Sequence, residues 1–283
     1  MIILENSKLR VSILHPVDDR ERLGARYCTG GYVYQVEDKT LGPLFSGPEY
    51  PSLSPSVING QGMPDVFQFT FFDDPEERPP VKMIIGVGLL DNGVGQKASD
   101  LHFSLPVSEP CTWETTIDAG SVFMHTRQSQ AGRSLELGRT LRLSERTLAS
   151  TTLLKNTGNG EMEFRWFAHP FFPRMADDES CTPDFTFVLP ECGAFYTDKG
   201  GAIGFNKSFD WIAGGFQPLE GTAGQRFGVR QHHPLCGSVR VDGDFPLHRV
   251  VLWANEKTFS IEPFLERTLQ PGDEYAWTLT YRF

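Results

Sequence analysis

Apolar and polar positions alternate along most of this 283-residue chain. The final segment, EYAWTLTYRF, is the cleanest case. Tyr275, Trp277, Leu279, Tyr281 and Phe283 fall on one side of an extended strand, and Ala276, Thr278, Thr280 and Arg282 on the other. The same period of two predicts strands at 32–38, 65–72, 81–88, 121–129, 133–144, 147–158 and 162–172. Further strands are expected in DFTFVLP, AIGFNKSFDW, QRFGVRQ and the long run 238–264. Turn signals punctuate them at Asp91-Asn92-Gly93, Asn156 to Gly160, Asp242-Gly243-Asp244 and Pro271-Gly272-Asp273. No amphipathic helix longer than about three turns is evident. DDPEERPP, at 73–80, reads as an exposed loop. The pattern predicts an all-β chain, a large antiparallel β-sandwich formed as one domain over 1–283.

Composition narrows the function. There are 28 Gly and 20 Pro, which suits many short strands joined by turns. The net charge is −10 and no long basic run occurs, which argues against nucleic-acid and anionic-membrane partners. The five cysteines, Cys28, Cys111, Cys181, Cys192 and Cys236, are widely spread and form no CxxC pair, so reduced thiols in a cytoplasmic protein are expected. The N-terminal MIILENSKLR lacks the features of a signal peptide, and the apolar run around VKMIIGVGLL is too short to span a bilayer.

Most motif candidates dissolve on inspection. GVGLLDNGVG has the wrong spacing for a dinucleotide loop, and no helix follows it. No GxSxG occurs. In HHPLC, His232 and His233 would point to opposite faces of a strand and could not chelate together; one of them, taken as His232, lining a pocket is the better reading. No metal and no cofactor are expected.

FRWFAHPFFP, residues 164–173, is more informative. Met162, Phe164, Trp166 and Ala168 share a core face. Glu161, Glu163, Arg165, Phe167 and His169 share the other, mixed face, which puts His169 towards an accessible surface. His169 is there either a satisfied core histidine or a proton-transfer group. Glu262, in TFSIEPF, shares a strand face with Ser260 and Phe264; it either pairs with an arginine or faces a histidine as one half of a general acid–base pair.

LRLSERTLASTTLLKNTGNGEMEFRWFAHPFF resembles the aldose 1-epimerase, or galactose mutarotase-like, superfamily, in which an N-T-G turn precedes a strand that delivers a histidine. VVLWANEKTFSIEPF and LQPGDEYAWTLTYRF resemble its later glutamate strand, P-G turn and last strand. GGYVYQVEDKTLGPLFSGPEY and SVINGQGMPDVF look like its opening segments, so the likeness runs loosely along nearly the whole chain. It implies a β-supersandwich, a small-molecule sugar partner and interconversion of aldose anomers. His169 would be the acid that protonates the ring oxygen, and Glu262 the base at the anomeric hydroxyl, the two standing about a pyranose width apart. Two departures stand out. His102 lies where members carry a further histidine, without the G-F-A-R pattern of the hexose-phosphate branch. Asn59 stands at about the place of that branch's phosphate-binding arginine, which implies an unphosphorylated sugar unless Arg26, Arg226 or Arg230 compensates. Trp211 and Trp253, with polar neighbours Asp210 and Asn255, are candidate platforms for the apolar face of a sugar. Arg26, Asn59 and His232 complete the expected binding set, in a monomer or homodimer. A catalytically silent sugar-binding protein on the same fold, a hexose-6-phosphate mutarotase and a structural protein with a vestigial site are the alternatives.

Overall fold

In the computed structural model, residues 1–68, 81–91, 105–175, 179–191 and 193–283 are described. The elements among them are β-strands in four antiparallel sheets, with one short 3₁₀ turn at Arg20–Arg22. A ten-stranded and a six-stranded sheet face each other, and two further sheets have four and three strands. The all-β antiparallel architecture predicted from the alternation is the one observed.

Alternation builds the core between the two large sheets. The strand Met162–Ala168 of the six-stranded sheet turns Met162, Phe164, Trp166 and Ala168 inward, all at most 2% exposed. The strand Glu274–Arg282 of the ten-stranded sheet answers with Trp277, Leu279 and Tyr281. Trp277 stacks on Phe164 at 5.5 Å and meets the edge of Trp166 at 5.3 Å. This apolar cluster draws residues from Ile2 to Tyr281. Burying large aromatic groups of this kind contributes on the order of 2–3 kcal/mol each.

A buried ion pair crosses the sandwich. Arg139, on the strand Arg133–Ser144, reaches Asp65 on the strand Asp65–Gln68 and also donates to Thr152, with Ser150 Oγ at 3.1 Å. Asp65 carbonyl oxygen in turn accepts from the Cys28 amide at 2.8 Å, and Pro64 carbonyl oxygen from the His169 amide at 2.9 Å. The pair therefore anchors the segment on which His169 hangs.

Several boundaries differ from the pattern. VKMIIGVG is a hairpin, Val81–Ile84 and Gly88–Asp91, because Gly86 turns the chain at φ +73°. Asp242-Gly243-Asp244 is not a turn; it lies inside the strand Gly237–Pro246, opposite a register shift between Arg226 and Gly228. DFTFVLP contributes a single bridge at Val188, and AIGFNKSFDW only the short strand Ile203–Phe205. Two N-terminal strands, Ile2–Glu5 and Leu9–Ile13, were not anticipated. The expected loop at 73–80, the Asn92-Gly93 turn, His102, Cys192 and the end of the strand expected at 65–72 lie outside the described residues. Among the described residues no helix is long and apolar enough to cross a membrane, no group of three or more His, Cys, Asp or Glu is placed to hold a metal ion, and Cys28, Cys111, Cys181 and Cys236 are free thiols.

Candidate active site

Register decides which side chains meet on the outer face of the six-stranded sheet. The strand Met162–Ala168 pairs with Thr258–Leu269 so that Phe167 opposes Phe264, and Arg165 opposes Glu266. Continued by two residues, this ladder sets His169 opposite Glu262. The next strand, Arg249–Ala254, adds Val251 opposite Glu262, Trp253 opposite Ser260 and Arg249 opposite Phe264. Residues directly opposite one another in an antiparallel sheet project to the same side. One face therefore carries His169, Glu262, Ser260, Trp253 and Arg249 together.

The contacts follow. His169 Nε2 lies 3.3 Å from Glu262 Oε1, and His169 Nδ1 lies 3.1 Å from Ser260 Oγ. Trp253 presents its ring edge-on to the imidazole at 5.4 Å, and Phe171 packs on it at 4.3 Å. His169 N–H extends the pairing with the strand Asp65–Gln68 by one rung, donating to Pro64 carbonyl oxygen, and the pairing stops there because Pro64 has no N–H to return.

The expectation of an accessible surface is corrected here. His169 is 2% exposed and Glu262 4%. A second apolar cluster covers this face, formed by Leu14, Tyr27, Tyr32, Val66, Phe167, Phe171, Val251 and Phe264. Tyr27 stands edge-on to His169 at 6.3 Å, and its hydroxyl donates to Asn59 carbonyl oxygen at 3.0 Å. The cover arrives from a distant stretch of sequence, which strand alternation alone does not reveal.

Burial sets the protonation of the pair. It pushes Glu262 up to about 8, against the opposing positive charges of Arg26 and Arg249 and a hydrogen bond with Ser260. The same desolvation, with Arg26 nearby, holds His169 well below its ordinary 6.5. A neutral imidazole beside a protonated carboxyl carries as many protons as an imidazolium–carboxylate pair, and the dry surroundings favour the neutral form. In that form the Glu262 hydroxyl donates to Nε2, and Nδ1–H donates to Ser260.

The remaining expected residues divide. Arg26 lies close by, donating through Nη1 to Ile58 carbonyl oxygen at 2.7 Å and stacking over the Tyr27 ring at 5.0 Å. Asn59 lies on a separate loop; its carbonyl oxygen accepts from Tyr27, and its side-chain amide donates to Glu49 Oε1 at 2.5 Å. Trp211 is elsewhere: it packs on Phe205 and Phe209 beside the main core, with Arg174 over its ring at 4.0 Å. His232 is on the opposing ten-stranded sheet, 3.3 Å from Thr182 Oγ1. Its neighbour His233 turns inward to Leu44 carbonyl oxygen, so the two histidines do take opposite faces. Tyr27 and Arg249 join the site without having been anticipated. The alternation Arg249, Val251, Trp253 is the signal that could have found Arg249.

No protein-family profile matches the sequence, and no curated protein is a significant match. Solved structures do match over the full length. A galactose mutarotase-like protein from Lactobacillus casei aligns with 100% of this chain and 99% of its own at a TM-score of 0.60 and 16% identity. A galactose mutarotase related enzyme from Lactobacillus acidophilus aligns with 100% of this chain and 97% of its own, at a TM-score of 0.57 and 12% identity. An aldose epimerase homologue from C. elegans covers 99% and 97%, at 0.50 and 13%. With the sheet order and the site face described above, these likenesses identify the fold of this chain as that of the galactose mutarotase-like proteins.

Proposed function

We propose that the protein interconverts the anomers of an aldose, with His169 and Glu262 carrying the proton transfers. The observation that supports this best is the 3.3 Å contact between the two side chains, set by strand register beside a half-buried tryptophan. Ring opening needs one proton removed from O1 and one delivered to the ring oxygen. Glu262 carboxylate takes the O1 proton as the C1–O bond to the ring oxygen breaks and the aldehyde forms. His169 Nε2–H gives its proton to the ring oxygen. Rotation about C1–C2 and the reverse transfers give the other anomer. The opening step leaves a protonated Glu262 and a neutral His169, the form that burial favours in the empty site. Ring closure by the reverse transfers restores the imidazolium and carboxylate, so the neutral resting pair needs one proton exchange across the 3.3 Å contact before opening begins, aided by the charges of Arg26 and Arg249 on the Glu262 side.

The expected ring-width gap between acid and base is absent, yet the chemistry does not require one. O1 and the ring oxygen are both bonded to C1, so adjacent donor and acceptor atoms can serve them from one side. The burial of the pair under Tyr27 means that a sugar enters only as the covering side chains move. That closure favours a second reading, a sugar-binding protein without turnover. Polarimetry on a freshly dissolved pure anomer separates the two. A rate above the buffer background supports turnover. Sugar-dependent thermal stabilisation with no such rate supports binding alone.

A further inference from the structure

Glu262 has two diagonal neighbours on the strand beside it, Trp253 on one side and Arg249 on the other. Diagonal neighbours in a sheet stand about 7–8 Å apart, the span of one pyranose. Trp253 offers a stacking surface. Arg249 offers something less usual.

The other cations of this face are engaged. Arg165 is ion-paired with Glu266, and His248 Nε2 lies 3.1 Å from Glu266 Oε2. Arg26 donates to Ile58. Among the described residues Arg249 has no carboxylate within ion-pair distance, and its Nε is buried without a hydrogen-bond partner. Its guanidinium lies over the Phe264 ring at 4.3 Å, a cation–π contact that restrains its position on this face. A buried donor with no acceptor is destabilising, and an acceptor brought within its reach relieves that cost.

We propose that the ligand of this site is an aldose bearing a carboxylate, a hexuronate, and that Arg249 binds that carboxylate. The proposal rests on the sugar reading above and adds the substrate class to it. In a hexuronate pyranose the carboxylate is attached beside the ring oxygen, so a ring whose C1 meets Glu262 can extend its carboxylate along the sheet towards Arg249. A planar carboxylate matches a planar guanidinium through two parallel hydrogen bonds. One uncompensated guanidinium balances one negative charge. A phosphate dianion would leave a surplus charge next to Glu262 and Glu266 in a chain of net charge −10.

The test is calorimetric titration of the whole chain with glucuronate, galacturonate, glucose, galactose and glucose 6-phosphate, with acetate as the free-carboxylate control and anomer interconversion followed in parallel. The uronates should bind about tenfold or more tightly than the matching neutral sugars, a difference of about 1.4 kcal/mol. Arg249→Gln should collapse that ratio, and Arg249→Lys, which keeps the charge but loses the fork, should lower it by about threefold or more. If Arg249→Gln loses its cooperative melt, the lysine variant decides. Neutral sugars bound or turned over as well as uronates would sink the carboxylate assignment and leave the anomer reading standing. Tighter binding of glucose 6-phosphate than of either uronate would overturn it too, as would a preference that survives in Arg249→Gln. Uronate binding that depends on Arg249, with no interconversion, would uphold this inference and remove the catalytic one. Failure of every sugar to bind or react would overturn both.

Discussion

Glu262 Oε1 and His169 Nε2 lie 3.3 Å apart in a nearly dry site, and burial makes this a pair that holds one proton up to about pH 8. Unfolding releases both groups to their ordinary values of 4.5 and 6.5. Between those values the folded and unfolded chains each hold one proton on the two groups, so the pair adds no slope. From 6.5 to about 8 the folded pair keeps a proton that the unfolded chain has lost, so stability falls as pH rises. The loss should reach about 2 kcal/mol over that window. In Glu262→Gln the window should be flat. Urea unfolding of both proteins at pH 6.5 and 8.5 measures it, and equal slopes would refute the assigned proton.

Catalysis should follow the same proton. With the pair deprotonated, no acid remains for the ring oxygen. The enzymatic rate should hold steady from about pH 6 to 7.5 and fall above about pH 8. Measured rates, corrected for the background at each pH and in matched buffer, that rise through pH 9 would exclude Glu262 as the titrating group.

Arg139 and Asp65 carry the site without touching it. Replacing Arg139 with alanine strands Asp65 as a buried, uncompensated carboxylate. A cost of about 3–5 kcal/mol is expected. Because Asp65 and Pro64 carbonyl oxygens hold Cys28 and His169, catalysis should suffer in the same variant. Chemical denaturation gives the first number. A loss under 1 kcal/mol would show that the segment is held by its backbone bonds alone.

Much of this was legible in the chain. Alternation placed Met162, Phe164, Trp166 and Ala168 inside and sorted the last strand correctly. It also put His169 on the face opposite that core, where it is found. It did not give the register that sets His169 against Glu262, because a period of two fixes a face and not a partner. It missed the cover of Tyr27 and Tyr32 for the same reason: contacts between distant segments leave no local period. Two similar tryptophans, Trp211 and Trp253, could not be separated by neighbours in sequence. Only the pairing of Trp253 with Ser260 brings one of them to the site.

That separation can be measured. Trp253→Phe should abolish or invert the change in intrinsic fluorescence on sugar binding, while Trp211→Phe should leave it intact, since Trp211 packs against Phe205 and Phe209. Trp253→Ala should weaken sugar binding by about tenfold, the size of a 1.4 kcal/mol loss. Retention of the signal in Trp253→Phe would remove this residue from the binding surface.

The central claim is that His169 and Glu262 act as one proton-transfer unit, and exchange spectroscopy on the anomeric protons tests it most directly. The exchange rate between anomers is measured for the wild type, Glu262→Gln, His169→Asn and the double variant, with the uncatalysed rate subtracted. Each single replacement should cost on the order of 10²–10⁴ in rate, and the double variant should lose little more than either one. Single variants that keep the wild-type rate, or losses that multiply in the double variant, would contradict the claim.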